Sequence, residues 1–121
     1  MTTQALWTYV CPLTAIVPNT GVCAKVGREQ VAVFRLVSPQ GEDEAVHALG
    51  QWDPRSQANV LSRGLLGDIN GVAVVASPVY KNHYALETGA CLEDESLSVP
   101  VFPVRVAEGQ IFVGRRPADG A

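Results

Sequence analysis

Val22-Cys23-Ala24-Lys25-Val26, then Gly27-Arg28-Glu29, then Gln30-Val31-Ala32-Val33-Phe34-Arg35-Leu36 is the stretch on which the fold turns. Two Val-rich runs flank a short loop with its glycine in place, which is the signature of a β-hairpin. Side chains alternate across a strand, so Val31, Val33 and Arg35 share one face and Ala32, Phe34 and Leu36 the other. The same pattern continues outward. Glu44-Ala45-Val46-His47-Ala48-Leu49 reads as a third strand, entered over the acidic turn Ser38-Pro39-Gln40-Gly41-Glu42-Asp43. Val72-Ala73-Val74-Val75-Ala76 is a continuous apolar run opened by the turn signal Asn70-Gly71. Tyr84-Ala85-Leu86 turns at Thr88-Gly89 towards Cys91-Leu92, and Val104-Arg105-Val106 pairs with Gln110-Ile111-Phe112-Val113 across Ala107-Glu108-Gly109. Short strands separated by regular turns predict an all-β sandwich or barrel. Helix signals are weak: one turn in Cys11–Val17, stopped by Pro18, and another at Glu93–Ser96.

The 121 residues suit one domain, with its core expected over about residues 7–113 and a flexible tail over 114–121. A hydrophobic share of 47% against 17% charged residues argues for a packed core and against disorder. The net charge of −3 supplies no large basic field, which makes nucleic acid and anionic membrane poor partners and comes close to excluding nucleic acid. Met1-Thr2-Thr3-Gln4-Ala5-Leu6-Trp7 has neither the positive charge nor the apolar stretch of a signal peptide. No apolar run reaches the ~18–20 residues needed to span a bilayer. Cys11, Cys23 and Cys91 are odd in number and lack CxxC or CxxH spacing, so they read as reduced, mostly buried thiols of a cytoplasmic protein.

Two stretches break the strand pattern. Gly50 to Gly71 is long for a loop in a small β domain and carries Trp52, Asp53-Pro54, Arg55 and Arg63; Ser77-Pro78-Val79-Tyr80-Lys81-Asn82-His83 lies between two strands. Loops of this kind are usually functional. Residue chemistry alone gives them no active site. His47 and His83 lack companion ligands for a metal. A triad could be written from Ser62, Ser77, His83 and Asp53 or Asp68, but no GxSxG elbow supports it. A Cys91–His83 thiol pair is equally unsupported. Glu42-Asp43-Glu44 and Glu93-Asp94-Glu95 read as solvated turns, and Gly64, Gly67 and Gly71 form no phosphate-binding pattern.

The two loops do resemble a known scaffold. Rieske domains are small all-β proteins in which one loop supplies C-x-H and a second C-x-x-H to a [2Fe–2S] cluster. Tyr84-Ala85-Leu86-Glu87-Thr88-Gly89 is similar to the F-D-L-x-T-G hairpin after the second Rieske loop, and Ala58-Asn59-Val60-Leu61 to the segment after the first. These anchors put Pro54 and Ser56 at the first Cys and His, and Ser77 and Tyr80 at the second pair. All four ligands are missing. A Rieske-like chain with Asp53-Pro54 and Ser77-Pro78 at those places resembles the small subunits of bacterial assimilatory NAD(P)H nitrite reductases. Val17-Pro18-Asn19-Thr20-Gly21-Val22, Gln30–Arg35, Ala58–Gly64, Val75-Ala76-Ser77-Pro78 with Tyr80-Lys81, Cys91-Leu92-Glu93-Asp94 and Val99-Pro100-Val101 extend the likeness over about residues 7 to 113. Gln51-Trp52 departs from it, standing where a smaller, polar pair is expected.

The resemblance implies a Rieske-like sandwich or barrel with a small inserted two-loop subdomain and little helix. It also implies a two-subunit oxidoreductase of nitrate assimilation. The large partner would carry FAD, a [4Fe–4S] cluster and sirohaem and reduce nitrite to ammonium. This chain would bind no cofactor, be inactive alone, and dock on the large subunit. Loop aromatics are enriched at interface hot spots and Lys81, Arg55 and Arg63 are loop cations able to meet an acidic patch; the candidate interface is Trp52, Arg55, Arg63, Tyr80, Lys81 and His83. The alternative is a stand-alone Rieske-like binding or regulatory module using the same two loops. A true cluster-bearing electron carrier is disfavoured by the ligand count.

Overall fold

A computed structural model describes residues 7–115. Among these, twelve strands and two single 3₁₀ turns, Leu13–Ala15 and Leu61–Arg63, make up the regular structure. Every strand pairing is antiparallel. Strands β2 (Thr20–Val26), β3 (Glu29–Val37), β4 (Asp43–Gly50) and β10 (Val101–Phe102) form a four-stranded sheet in the order β10-β4-β3-β2. A second sheet has the order β1-β12-β11, from β1 (Trp7–Pro12), β11 (Val104–Ala107) and β12 (Gln110–Gly114). No helix among the described residues is long and apolar enough to cross a membrane.

The alternation in β3 explains how the layers stack. Val31 and Val33 join Ile16, Val26, Ala48, Phe102, Ile111 and Val113 in one core cluster. Ala32 and Phe34, on the opposite face, join Leu49, Leu61, Val75, Tyr84, Leu86, Cys91 and Val99 in another. Residues 31–34 are therefore all fully buried, which is why the run is apolar on both faces. Arg35 shares the face of Val31 and Val33 but lies near the strand end. There its guanidinium donates to the Ile16 carbonyl and the Asp43 carboxylate, each at 2.7 Å.

Because β10 returns to pair with β4, everything from Gln51 to Pro100 is an insertion into this scaffold. Its two ends meet, with the Gly50 amide donating to the Pro100 carbonyl at 2.9 Å. Within it lie the two-residue strands β5 (Trp52–Asp53) and β6 (Ala58–Asn59), paired only with each other. A three-stranded sheet follows, of β7 (Leu65–Ile69), β8 (Val72–Ala76) and β9 (His83–Ala85).

The long loop expected over Gly50–Gly71 is thus corrected to a small hairpin, a 3₁₀ turn and a strand. Strand β7 escapes sequence reading because Gly67 and Asp68, poor strand formers, occupy its middle. Its register, Leu65 opposite Ala76 through Ile69 opposite Val72, is set by Asn70-Gly71, both at positive φ (52° and 83°) in a two-residue hairpin turn. A Cβ on Gly67 would meet nothing within 4 Å. Gly67→Ala is accordingly expected to raise the unfolding free energy by about 0.5–1 kcal/mol, read as a higher urea midpoint at unchanged slope.

Gly114, assigned to the tail by the sequence reading, is the last residue of β12 and lies opposite Trp7. Of the expected tail, residues 116–121 lie outside the described residues, as do residues 1–6. The expectation of mostly buried thiols also needs correction: Cys91 is buried, Cys11 half-buried and Cys23 exposed. Cys23 shares with Lys25 the outer face of β2, a strand at the sheet edge.

Candidate functional site

The two loop tips share one construction. Asp53-Pro54-Arg55-Ser56-Gln57 closes with the Gln57 amide donating to the Asp53 carbonyl at 2.7 Å. Ser77-Pro78-Val79-Tyr80-Lys81 closes with the Lys81 amide donating to the Ser77 carbonyl at 3.0 Å. Both closing residues are left-handed, with φ of 57° at Gln57 and 62° at Lys81. In both, the opening side chain accepts from the amide two residues on: Arg55 N–H to Asp53 Oδ1 at 3.1 Å and Val79 N–H to Ser77 Oγ at 3.4 Å. A short polar residue followed by proline opens each turn, as its side-chain chemistry and the fixed proline φ favour. Strain at the closing residues is local. Lys81→Gly should relieve it and leave the thermal midpoint unchanged or up to a few degrees higher, the gain of order ~1 kcal/mol.

The tips meet on the Asp53 carboxylate, which is 0% exposed. Oδ2 accepts from Ser77 Oγ at 2.6 Å and from Ser56 Oγ at 2.8 Å. Oδ1 accepts from the Tyr84 hydroxyl at 2.6 Å, in addition to the Arg55 amide, and from Asn82 Nδ2 at a long 3.4 Å. Among the described residues no cationic side chain pairs with Asp53. Burial by itself would raise its pKa; the donors from Ser77, Tyr84, Ser56 and the Arg55 amide outweigh burial and hold it at about 2. Burial, reinforced by hydrogen bonding to Asp53, pushes the Tyr84 phenol well above its ordinary range, so it remains a neutral donor.

Outside this clasp, the side chains turn to solvent. Trp52 is 48%, Val79 49% and Tyr80 60% exposed. The Arg55 guanidinium lies over the Tyr80 ring, 5.3 Å from its centroid, in a cation–π contact between the tips. Arg55, Tyr80, Lys81 and Asn82 line an open cleft of about 250 Å³ with Cys91, Glu93 and Asp94. Lys81 is exposed. His83 is held aside, its ring 2.6 Å from Glu93 Oε2 and its amide donating to Glu93 Oε1 at 2.8 Å. Arg63 is exposed at the end of the second 3₁₀ turn and takes no part in the clasp. Gln51, buried, braces the hairpin base by bonding the Ser62 hydroxyl and amide at 2.9 and 2.7 Å.

The four positions assigned to lost ligands are brought together in part. Ser56 and Ser77 share one carboxylate oxygen, Pro54 lies in the same tip as Ser56, and Tyr80 reaches the first tip through Arg55. A Rieske cluster needs two thiolates and two imidazoles. Here Pro54 has no donor, both serine hydroxyls are engaged by Asp53, and Tyr80 offers a phenol, so these residues do not fit the cluster. Among the described residues no group of three or more His, Cys, Asp or Glu is arranged for a metal. Ser77 contacts Asp53, but the His83 ring is bonded to Glu93, so no Ser-His-Asp relay forms. His47 is half-buried in β4, and burial lowers its pKa towards the neutral form.

Sequence reasoning missed Asp53 and Tyr84 as the centre of the site. The available signal was the repeat itself, Asp-Pro-x-x-Gln and Ser-Pro-x-x-Lys, two equal turns each opened by a side chain able to bond across to the other.

The model for the Rieske-like [2Fe-2S] domain family matches residues 6–114. The NADH nitrite reductase small subunit of Salmonella typhimurium is 44% identical over 105 residues, 87% of this chain and 94% of that one. A solved structure described as an NADH-dependent nitrite reductase small subunit from Mycobacterium tuberculosis superposes with a TM-score of 0.83. It is 45% identical, and the match covers 93% of this chain and 96% of that one. In Klebsiella oxytoca the match falls within a protein named as an NAD(P)H nitrite reductase large subunit. It is 39% identical over 110 residues, which is 91% of this chain and 11% of that protein. With a β scaffold, two matched tips and these relatives in view, the chain belongs to the Rieske-like domain family and, within it, to the small subunits of NADH nitrite reductase.

Proposed function

We propose that this chain is the cluster-free small subunit of a cytoplasmic NAD(P)H-dependent nitrite reductase and that it docks through its two loop tips on the large subunit. The large subunit is expected to hold the FAD, [4Fe–4S] and sirohaem that convert nitrite to ammonium. The observation carrying the reading is the pairing of near-full-length identity to such small subunits with a tip that has no iron ligand but is still rigidly built. The occurrence of the same module inside a large-subunit polypeptide supports the partnership, since fusion keeps both at high effective concentration. The exposed Trp52, Tyr80 and Arg55 are of the residue types that dominate interface hot spots.

Reconstitution tests it. Nitrite reduction by the large subunit, measured with and without this chain, should rise in rate, stability or cofactor retention when the chain is present. No effect on any of the three would overturn the assignment. Trp52→Ala and Tyr80→Ala should each weaken association by about 2 kcal/mol or more, roughly thirtyfold in Kd, while the isolated chain keeps its thermal midpoint. An unchanged Kd for both places the interface elsewhere.

A further inference from the structure

On the reading of this chain as a docked small subunit, we propose that Asp53 is its positioning residue: one buried carboxylate joins the two tips where a Rieske domain would use iron, and so presets the face that meets the large subunit. The topology leaves little else to do this. Strands β5 and β6 pair only with each other, and the second tip belongs to the separate β7-β8-β9 sheet. Among the described residues, every hydrogen bond that joins residues 53–57 to residues 77–84 ends on Asp53, through Ser77, Asn82 and Tyr84. The Arg55–Tyr80 stack also joins the tips, and both of its residues are exposed.

The candidate docking side chains are the immediate neighbours of the clasp. Trp52 precedes Asp53, Arg55 has its amide on Asp53 Oδ1, and Val79 has its amide on Ser77 Oγ. Asp53 and Ser77 are almost fully buried while Trp52, Val79 and Tyr80 are about half exposed, so each tip anchors inward and presents outward. The exposed cations Arg55 and Lys81 suit a partner surface that offers carboxylates beside an apolar patch. A preset surface binds with less ordering on contact, which is what a clasp contributes and a loose pair of loops does not.

The test uses the full chain with the large subunit. Asp53→Asn keeps the shape but removes the second acceptor oxygen and the charge; Ser77→Ala removes a single donor. Val113→Ala, in the core cluster on the opposite face of β3, serves as the comparison, because it lowers stability without touching the clasp or the residues packed on it. Asp53→Asn should weaken association at least ~tenfold, and Ser77→Ala by a smaller factor. In the free chain, amide hydrogen exchange should accelerate across both tips, residues 55–57 and 79–82, by a larger factor than in β3, which follows only the global loss of stability. Val113→Ala, compared at the same thermal midpoint, should keep near wild-type affinity and slow tip exchange. Wild-type affinity for Asp53→Asn, or an equal loss in Val113→Ala, overturns the positioning role. Should Trp52→Ala weaken binding while Asp53→Asn does not, the docking face stands and the clasp falls. Failure of the wild-type chain to bind the large subunit removes both.

Discussion

Asp53→Ala is expected to destabilise the fold by about 3–5 kcal/mol, the loss typical of removing one member of a buried charged network. The size follows from what remains. Ser77 and Tyr84 are buried donors at 2.6 Å from the carboxylate, and without it their hydroxyls, together with those of Ser56 and the Arg55 amide, lose their acceptor. Each buried group left unpaired costs about 1–3 kcal/mol. Asp53→Asn, which retains one acceptor oxygen, should fall between wild type and Ala. Urea denaturation at pH 7 measures both; a loss under about 1 kcal/mol for Ala would mean the clasp contributes little.

The carboxylate also ties stability to acid. Its pKa is about 2 in the fold against an ordinary 3.8, so the native state favours the ionised form. That gap corresponds to about 2–3 kcal/mol, fully present above the unfolded value and lost as pH falls from about 5 through 2. Wild type should therefore lose more stability than Asp53→Asn between pH 6 and pH 2. Parallel curves for the two proteins would contradict the assignment.

Gly89→Ala is the second substitution expected to be severe, at about 2–4 kcal/mol. Gly89 adopts φ +81°, a conformation L side chains rarely take, and an added Cβ would run into the Val99 carbonyl and crowd Val101. The surrounding backbone has no slack: the Gly89 amide donates to Ala85 at 2.7 Å, and its carbonyl accepts from Val99 at 2.8 Å. Relief requires moving the segment that closes the insertion, not rotating a side chain. Gly67→Ala, at an open site, provides the contrast; comparable losses at both positions would show that these local geometries do not set the cost.

The division between what the sequence revealed and what it concealed follows the physics of each element. Strand β3 was legible because both its faces are core, so Val31 to Phe34 form an unbroken apolar pattern with period-2 sense. The hairpins at Gly27-Arg28 and Glu108-Gly109 carried their turn residues openly. Strand β7 was hidden by Gly67 and Asp68, although Asn70-Gly71 was already a hairpin signal and needed a strand on both sides. At the site, Pro54, Ser56, Ser77 and Tyr80 were singled out through the Rieske likeness, which drew attention to the two tips. Asp53 was not, since an aspartate before proline has an ordinary turn role. Its partners Ser77 and Tyr84 stand 24 and 31 residues away in sequence, and only the folded chain brings them to it.

The junction where the Gly50 amide meets the Pro100 carbonyl has an evolutionary corollary. A segment that departs and returns through one doorway can be rewritten as a unit: its ends need only stay a single bond apart and its inner wall keep covering Ala32, Phe34 and Leu49. Such a seam lets the chemistry of the tips change while the strands on the far side of β3 carry on unaltered. It also marks where a tip of other chemistry could be spliced in.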